Sequence, residues 1–504
     1  MIDLSKPIFL LIAVCAVSFA SFGQTNADID FDIDSIPIHT LNEVIVTANR
    51  FTEVIPSQKL TGKELEGLNS LSVADALRYF SGIQLKDYGG VGGIKTVNIR
   101  GMGSEQTGVY YNGIQLGNAQ NGQVDLGKFS LENIEEISLY NGQRSDIFQT
   151  AREFGSAGSI YLTTRRPRFK EGEKAHLKAG LKVGSFDFLS PSVLCEYKIT
   201  DDIYATFNAE WISSSGKYEF RYRRVTPSGE LAYDTTAIRE NGDIDAVRFE
   251  GGVQGYMPRG KWKAYMYHYT SERGIPGAIV NNVWHRGERL WDRNSFAQAM
   301  FEYDITPRLS TKVNAKYAFD YTHYVNNDDK LIHVDNVYKQ REVYASWANK
   351  YTILHNWDVS LAYDYQWNQL SEYRDVERHT HWVSLASAYA LGDCFKVQAS
   401  ALATIVDEED RGRDDVPNKF KVTPAVFLSY KPFDQTDLVL RAFYKTWTSC
   451  HGSELMTDAT KLLSCLIEKL CRERTATDSC TVCLEDSVYV SDVVRINSKS
   501  YASA

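Results

Sequence analysis

The chain has 504 residues and a formal net charge of −9, and it contains 30 Tyr, 23 Phe and 9 Trp. The acidic balance leaves no basic footprint, which argues against nucleic acid as a partner. So many aromatic residues in a chain of negative mean hydropathy favour a mainly β protein with apolar and wet faces side by side.

Residues 1–23 have the organisation of a secretory signal peptide. Lys6 supplies the basic start, residues 8–20 the apolar segment, and residues 21–23 a small-x-small cleavage site before Gln24. A transmembrane helix is the competing interpretation, but an apolar run of about 13 residues is shorter than the roughly 20 that cross a bilayer. No later stretch is apolar enough to span as a helix, so integral membrane insertion would require a barrel.

Residues 24–50 are predicted to be a flexible leader with one strand-like segment. The leader is polar up to residue 42 and has little to pack. The segment that follows is short, β-branched and apolar, which suits a strand that pairs with the edge of another chain. This segment is Glu43, Val44, Ile45, Val46, Thr47 and Ala48. A buried strand of the same protein has the same composition, so the segment alone leaves both interpretations open.

Residues 51–168 carry the signals of a small α+β domain. Ser72, with Asp75 three residues later, predicts a capped short helix whose apolar positions follow at helical spacing. Asn112-Gly113 is a hairpin-type turn signal. A glycine-rich loop at 89–93 and an amide-rich loop at 115–123 are of the kind that carries ligand contacts. For any single residue of these loops, an ordinary surface turn is the alternative.

In their order along the chain, these elements resemble the plug domain of TonB-dependent outer-membrane receptors. The matching elements are the segment 43–48, the short helix, Ile99-Arg100-Gly101, the Tyr111-Asn112-Gly113 turn, Ile134 to Ile137, and Gly155 to Thr164. The resemblance implies that Glu43 to Ala48 is the TonB box, which pairs with TonB and its inner-membrane energising complex. It also implies ligand contact by the outward loops, for which we name Asp87, Tyr88, Gln115, Asn118, Gln120 and Asn121.

Residues 169–447 alternate like the strands of a transmembrane barrel. From Trp357 to Trp367 every second residue is apolar or aromatic, and polar residues and one alanine lie between them. Ten steps at roughly 3.4 Å, tilted by about 45°, rise about 24 Å, close to the apolar band of an outer-membrane barrel. Short connections alternate with long polar ones, which a soluble β-sandwich would not need. We predict a mainly β fold, a plug followed by an antiparallel barrel of about 13 or 14 strands up to Trp447.

Residues 24–446 contain no nucleophile–base pair, phosphate loop or metal-ligand motif, so we expect neither an enzyme nor a resident cofactor or metal. Two acidic loops, at 326–329 and 407–415, offer carboxylate oxygens of the type that Ca²⁺ prefers. Solvated loops are the simpler interpretation of both.

Residues 448–504 break the alternating pattern and are rich in cysteine. A frame-shifted or truncated gene product is the interpretation we favour, and a cysteine module around Cys480 and Cys483 or a divergent terminus are the alternatives. The family resemblance implies a closed barrel of about 22 strands. The 504-residue chain is therefore expected to be an inactive fragment.

The resemblance implies an outer-membrane transporter that imports a scarce small solute, a corrinoid (cobalamin-type) or a siderophore-type iron chelate. Expected partners are TonB, the small ligand and outer-membrane lipid, and a surface lipoprotein remains open. The alternative is a non-transporting outer-membrane binding or adhesion protein, for which Glu43 to Ala48 would be dispensable.

Overall fold

The computed structural model describes residues 53–55, 57–68, 70–117, 122–277, 279, 287–327, 333–372, 375–392, 394–410, 419–432 and 439–447. The predicted signal peptide, the leader with the TonB box at 43–48, and the tail at 448–504 lie outside these residues.

A small α+β domain comes first. Its elements are β1 (Ser57–Thr61), α1 (Gly62–Gly67), α2 (Val73–Ala76), β2 (Ile83–Asp87), β3 (Lys95–Ile99), β4 (Thr107–Tyr111), β5 (Ile114–Leu116), β6 (Ile134–Tyr140) and β7 (Gly158–Thr164). Five strands form one sheet in the order β1-β6-β7-β4-β5, and β2 pairs with β3 in a separate hairpin. Strands β4 and β7 run parallel, and the other neighbours are antiparallel.

The local signals in this domain act as the sequence predicts. The Ser72 side chain accepts a hydrogen bond from the Asp75 amide at 3.4 Å and caps α2, whose apolar residues are buried. Asn112 and Gly113 have φ values of 50° and 84° between β4 and β5, the left-handed pair that a tight hairpin turn requires.

A long antiparallel sheet follows. Its strands are β8 (Ala175–Gly184), β9 (Phe188–Lys198), β10 (Ile203–Ser214), β13 (Ile244–Met257), β14 (Gly260–Ile275), β15 (Glu288–Thr306), β16 (Leu309–Asn326), β17 (Val334–Leu354), β18 (Trp357–Glu372), β19 (Val376–Leu391), β20 (Phe395–Asp410), β21 (Lys419–Tyr430) and β22 (Leu440–Lys445). The 13 strands run in sequence order, and within the described residues the sheet ends at β8 and β22 without closing.

The two faces of this sheet are inverted relative to a soluble protein. Trp347 and Leu361 are 56% and 53% exposed on the outer face, whereas Asp364 on the inner face is fully buried. Apolar residues turned outward and polar residues turned inward are the pattern of a barrel wall in lipid. One continuous sheet also excludes the soluble sandwich, which needs two packed sheets.

The longest connections lie at one end of the sheet, although two connections of three residues, 185–187 and 373–375, lie there as well. At the opposite end, short turns join the strands at residues 199–202, 258–259, 307–308, 355–356 and 392–394. The end with the longest connections, called the loop end below, carries 215–243 and 276–287. The first of these is not the irregular loop that the sequence predicts, because it contains a separate hairpin of β11 (Tyr218–Val225) and β12 (Leu231–Arg239).

The α+β domain packs against the inner face of the sheet. Tyr111 and Phe129 of the domain belong to the same buried cluster as Tyr265, Tyr267 and Phe296 of the sheet. The Tyr111 and Tyr265 hydroxyls are 2.6 Å apart, and burial raises the pKa of Tyr111 well above its usual value. None of the helices in the described part of the chain has the length and apolar character of a membrane span.

Candidate ligand-binding cleft

An open cleft of about 380 Å³ lies between the small domain and the inner face of the sheet. The domain contributes residues from β3, β5 and the segment 123–129, and the sheet contributes residues from β14 to β18. Ile275, Leu290, Tyr324 and Leu370 line it near the loop end of their strands. The cleft is therefore on the side of the long connections, where an external ligand would arrive.

Stacked aromatic rings form one wall of the cleft. Phe129 and Tyr267 stack with ring centroids 5.2 Å apart, and Tyr267 and Phe296 stack at 4.9 Å. The Tyr267 hydroxyl donates to the Lys128 carbonyl oxygen at 2.6 Å. This bond fixes the central ring, so the wall offers a prearranged apolar surface to a flat ligand.

An ion-pair network crosses the cleft from the domain to the sheet. Arg273 Nη2 lies 2.9 Å from Asp125 Oδ2 and 2.6 Å from Asp292 Oδ2. Lys128 Nζ lies 3.1 Å from the same Asp292 oxygen. Thr322 donates its hydroxyl to the other Asp292 oxygen at 2.9 Å. Buried charges that are paired in this way hold their partners in one geometry.

A second polar group lies deeper in the lumen. Lys316 Nζ donates to Glu342 Oε1 at 2.9 Å and to the Gln115 carbonyl oxygen at 3.0 Å. Asn294 donates to Asp320 at 2.7 Å. The charged residues that line the cleft are three cations and three carboxylates: Lys128, Arg273, Lys316, Asp125, Asp292 and Asp320. A lining without net charge fits a ligand without a large net charge.

The domain is also held to the wall away from the cleft. Asp364 of β18 accepts hydrogen bonds from the Ala151 amide at 3.1 Å and from the Arg152 amide at 2.8 Å, at the start of the 3₁₀ turn 151–155. Tyr344 donates its hydroxyl to the same carboxylate at 2.8 Å. Lys445 of β22 donates to the Phe154 carbonyl oxygen at 3.0 Å. These contacts join the domain to β18 and β22 through residues that do not line the cleft.

The six predicted ligand residues are only partly described. Asp87 accepts hydrogen bonds from the Gly89 and Gly90 amides at 3.1 and 2.9 Å and so shapes the glycine loop. Tyr88 is half exposed, and Gln115 is buried next to Leu116 and Gly117, which do line the cleft. Asp87, Tyr88 and Gln115 are not among the lining residues. Asn118, Gln120 and Asn121 lie outside the described residues.

Sequence reasoning did not name the residues that build the cleft. Lys128 and Phe129 follow Gly127 and lie just beyond the amide-rich loop 115–123, so they were not singled out. Arg273, Tyr267 and Tyr269 share one parity on β14, and that parity faces the lumen. An arginine on the inward face of an aromatic strand was the available signal. Among the described residues, no group of three or more His, Cys, Asp or Glu has the arrangement of a metal site.

Comparisons with known proteins agree with this architecture. The TonB-dependent Receptor Plug Domain family matches residues 52–155. The chain is 28% identical over 225 residues to the vitamin B12 transporter BtuB of Vibrio vulnificus, a match that covers 42% of this chain and 35% of that protein. A match to BtuB of Photobacterium profundum is 34% identical over 110 residues and covers 21% of this chain and 18% of that protein. These matches thus span about a third or less of the curated relatives' lengths.

Solved structures share the fold at low sequence identity. The FrpB iron transporter of Neisseria meningitidis aligns with a TM-score of 0.62 at 9% identity, over 79% of this chain and 67% of that one. The siderophore receptor PiuA of Acinetobacter baumannii aligns with a TM-score of 0.57 at 13% identity, over 78% and 64%. The predicted fold class and outer-membrane location are confirmed, and the relatives are receptors and transporters rather than enzymes. With the plug-domain match at residues 52–155, its barrel-type sheet and these relatives, the chain is similar to the TonB-dependent receptors of the outer membrane.

Proposed function

We propose that the full-length receptor captures a small solute in the cleft between plug and barrel wall and imports it across the outer membrane, and that the 504-residue chain by itself is inactive in import. The cleft itself is the observation that supports this proposal, because it opens toward the long connections and is lined by both parts of the protein. A ligand seated there touches plug and wall at once, so its binding free energy can bias the contacts between them.

The ligand class we favour is a corrinoid. The cleft lining has no net formal charge, and its stacked rings at Phe129, Tyr267 and Phe296 suit a broad, partly apolar ligand. Two sequence relatives are named vitamin B12 transporters. A ferric chelate is the runner-up, since structural neighbours include siderophore receptors. Highly anionic chelates fit the balanced lining less well.

Coupling to energy is assigned to Glu43, Val44, Ile45, Val46, Thr47 and Ala48. A strand added to the edge of TonB forms several backbone hydrogen bonds that resist a pulling force together. Force transmitted to the plug would act on the polar contacts that join it to the wall, including those of Arg273 and Asp364. Six loop residues are also proposed to contact the ligand, in addition to the residues that line the cleft: Asp87, Tyr88, Gln115, Asn118, Gln120 and Asn121.

Equilibrium binding to the purified receptor tests the ligand class. Cyanocobalamin, a ferric hydroxamate and a ferric catecholate are titrated separately against protein in detergent. We expect saturable binding of the corrinoid, at least tenfold tighter than of either chelate. Saturable binding of a chelate with none of the corrinoid would overturn the corrinoid assignment and leave the transporter proposal standing. Binding of none of the three would count against capture in the cleft.

A further inference from the structure

The outer wall of β15 to β17 carries a cluster of cations near the loop end. Arg293, Lys339 and Arg341 all project from the lipid-facing side, where Arg293 and Arg341 are exposed. Arg293 is paired in register with Tyr321, which is paired in turn with Lys339. Two strand spacings place the Arg293 and Lys339 Cα atoms about 10 Å apart, and Arg341, two residues along from Lys339, lies roughly 12 Å from Arg293. We call these three residues the wall patch.

Two of the three cations form no ion pair with an acid in the part of the chain that the structure describes. Lys339 Nζ lies 2.6 Å from Glu372. Within the described residues, no carboxylate forms an ion pair with Arg293 or Arg341, and the Arg293 guanidinium lies 5.9 Å from the centre of the Tyr321 ring. The nearby acids are occupied, because Glu272 pairs with Arg289 and Asp335 with His323. Counted over residues that the structure describes, the wall patch therefore carries about two uncompensated positive charges.

The depth of the wall patch matches the edge of the apolar band. Exposed Tyr351 marks the short-turn end of β17, and Arg341 lies ten residues along the same strand. Ten residues of a tilted strand rise about 24 Å, close to the ~25 Å band of an outer-membrane barrel. Phe319 and Tyr321 of β16 lie between the two arginines in the sheet register. Arginines at this level meet lipid headgroups rather than acyl chains.

From this we propose that the wall patch binds a phosphate-bearing lipid of the outer leaflet. Guanidinium groups form paired hydrogen bonds with phosphate oxygens, and two of them on strands two spacings apart, with Cα atoms roughly 12 Å apart, suit a headgroup with two phosphates. The aromatic residues between them contact the sugar or the upper acyl chains. Simple snorkelling of the arginines to water is the competing account, and it requires no particular headgroup.

Native mass spectrometry of the full chain, extracted from outer membranes in mild detergent, tests this proposal. The probes are bis-phosphoryl lipid A and its dephosphorylated form. Arg293→Gln/Arg341→Gln should bind the phosphorylated lipid at least tenfold more weakly than the unchanged protein. Arg259→Gln/Arg308→Gln, with the same charge change in two short turns at the opposite end, should bind it normally.

Equal binding of both lipids, or full binding by Arg293→Gln/Arg341→Gln, would overturn the proposal. Displacement of the lipid by equimolar inorganic phosphate would also overturn it, since the patch would then be a general anion site. Arg293→Lys/Arg341→Lys keeps the charge and gives an intermediate affinity if paired guanidinium bonds matter. If Arg293→Gln/Arg341→Gln does not migrate as a folded, heat-modifiable protein, lipid binding is compared between the lysine variant and the unchanged protein instead.

Discussion

Arg273 of barrel strand β14 and Asp125 of the plug form a 2.9 Å ion pair that crosses the cleft, and Arg273 simultaneously holds Asp292 of β15. The Arg273 side chain also donates to the Gly92 carbonyl oxygen at 3.3 Å. One guanidinium thus ties two plug segments to the wall, beside the stacked rings that would receive a ligand.

Replacing Arg273 by Met should loosen the plug near the cleft. The change removes the positive charge that pairs with the carboxylates of Asp125 and Asp292. Removing one partner of a buried ion pair typically lowers the free energy of unfolding by about 3–5 kcal/mol. Hydrogen exchange in segments 88–93 and 122–129 should accelerate strongly, while exchange in β17 stays unchanged. Arg221→Met removes an ion pair on the exposed β11–β12 hairpin and should have no such effect. Unchanged exchange in the Arg273 variant would show that the ion pair does not anchor the plug.

Replacing Phe129 by Ala should weaken ligand binding. The change removes one ring of the stacked wall, and a corrinoid should bind at least tenfold more weakly in equilibrium titrations, about 1.4 kcal/mol. Phe301→Ala is the matched control for the barrel wall, because Phe301 lies on β15 like Phe296 but is 42% exposed on the lipid face. Equal losses in both variants would mean that the effect is general destabilisation.

Replacing Asp364 by Ala should release the 151–155 turn without touching the cleft. Two buried amides lose their acceptor, and each unsatisfied group costs about 1–3 kcal/mol. Amides 151 and 152 should exchange faster, whereas ligand affinity should change less than in Phe129→Ala. Asp358→Ala on the same strand is the control, since Asp358 accepts a bond from Thr352 near a short turn. Protection of amides 151 and 152 in both variants would contradict the anchoring role.

Acidification should weaken the contact between the plug and β8. Burial alone would raise the pKa of Glu132, but hydrogen bonds and charge from Lys182 and Lys178 outweigh it, and the pKa is lowered. Because the pKa of Glu132 is lower in the folded state than in the unfolded state, its ionised carboxylate stabilises the fold at pH values above the usual glutamate pKa of about 4.3. This contribution is lost as the pH falls through the lowered folded-state pKa.

The Glu132→Gln variant should therefore be less stable than the unchanged protein at neutral pH and should lose less stability on acidification. Thermal unfolding measured between about pH 6 and pH 3, roughly the range over which carboxylates titrate, gives the change in stability of each protein. Glu135→Gln is the control, because Glu135 forms its ion pair with Arg168, whose side chain is exposed. An identical pH profile for Glu132→Gln and the unchanged protein would contradict the role of Glu132.

The sequence predicts the barrel wall well because strand alternation has a strict period of two. Trp357 and Leu361 face outward and Asp364 inward, as the pattern requires. The capped helix at Ser72 and the turn at Asn112 are equally local signals. The hairpin β11–β12 was missed although Tyr218, Phe220 and Tyr222 alternate with charged residues in the same way. Its position inside a long polar connection concealed the strands.

The sequence marks only a small part of the cleft: the loop 115–123 contributes Leu116, Gly117 and Gln123, and no local signal marks most of the other lining residues. Asp125 meets Arg273, 148 residues later, and Phe129 meets Tyr267 only through the packing of the plug against the wall. The loop residues Asp87 and Tyr88 were named for their glycine-rich surroundings, yet the cleft lining comes from neighbouring segments. Flexible-loop signals identify the correct end of the molecule but not the side chains that line the cavity.

Uptake of radiolabelled corrinoid by cells that express a full-length version of the receptor in place of their own transporter tests the central claim most directly. Val46→Pro removes a backbone donor from the proposed TonB box and leaves the cleft unchanged. The account predicts that surface binding persists in this variant while uptake falls to background. Uptake at the unchanged level in Val46→Pro would contradict energy coupling through residues 43–48. Surface binding without uptake in the unchanged protein would instead favour a non-transporting binding protein.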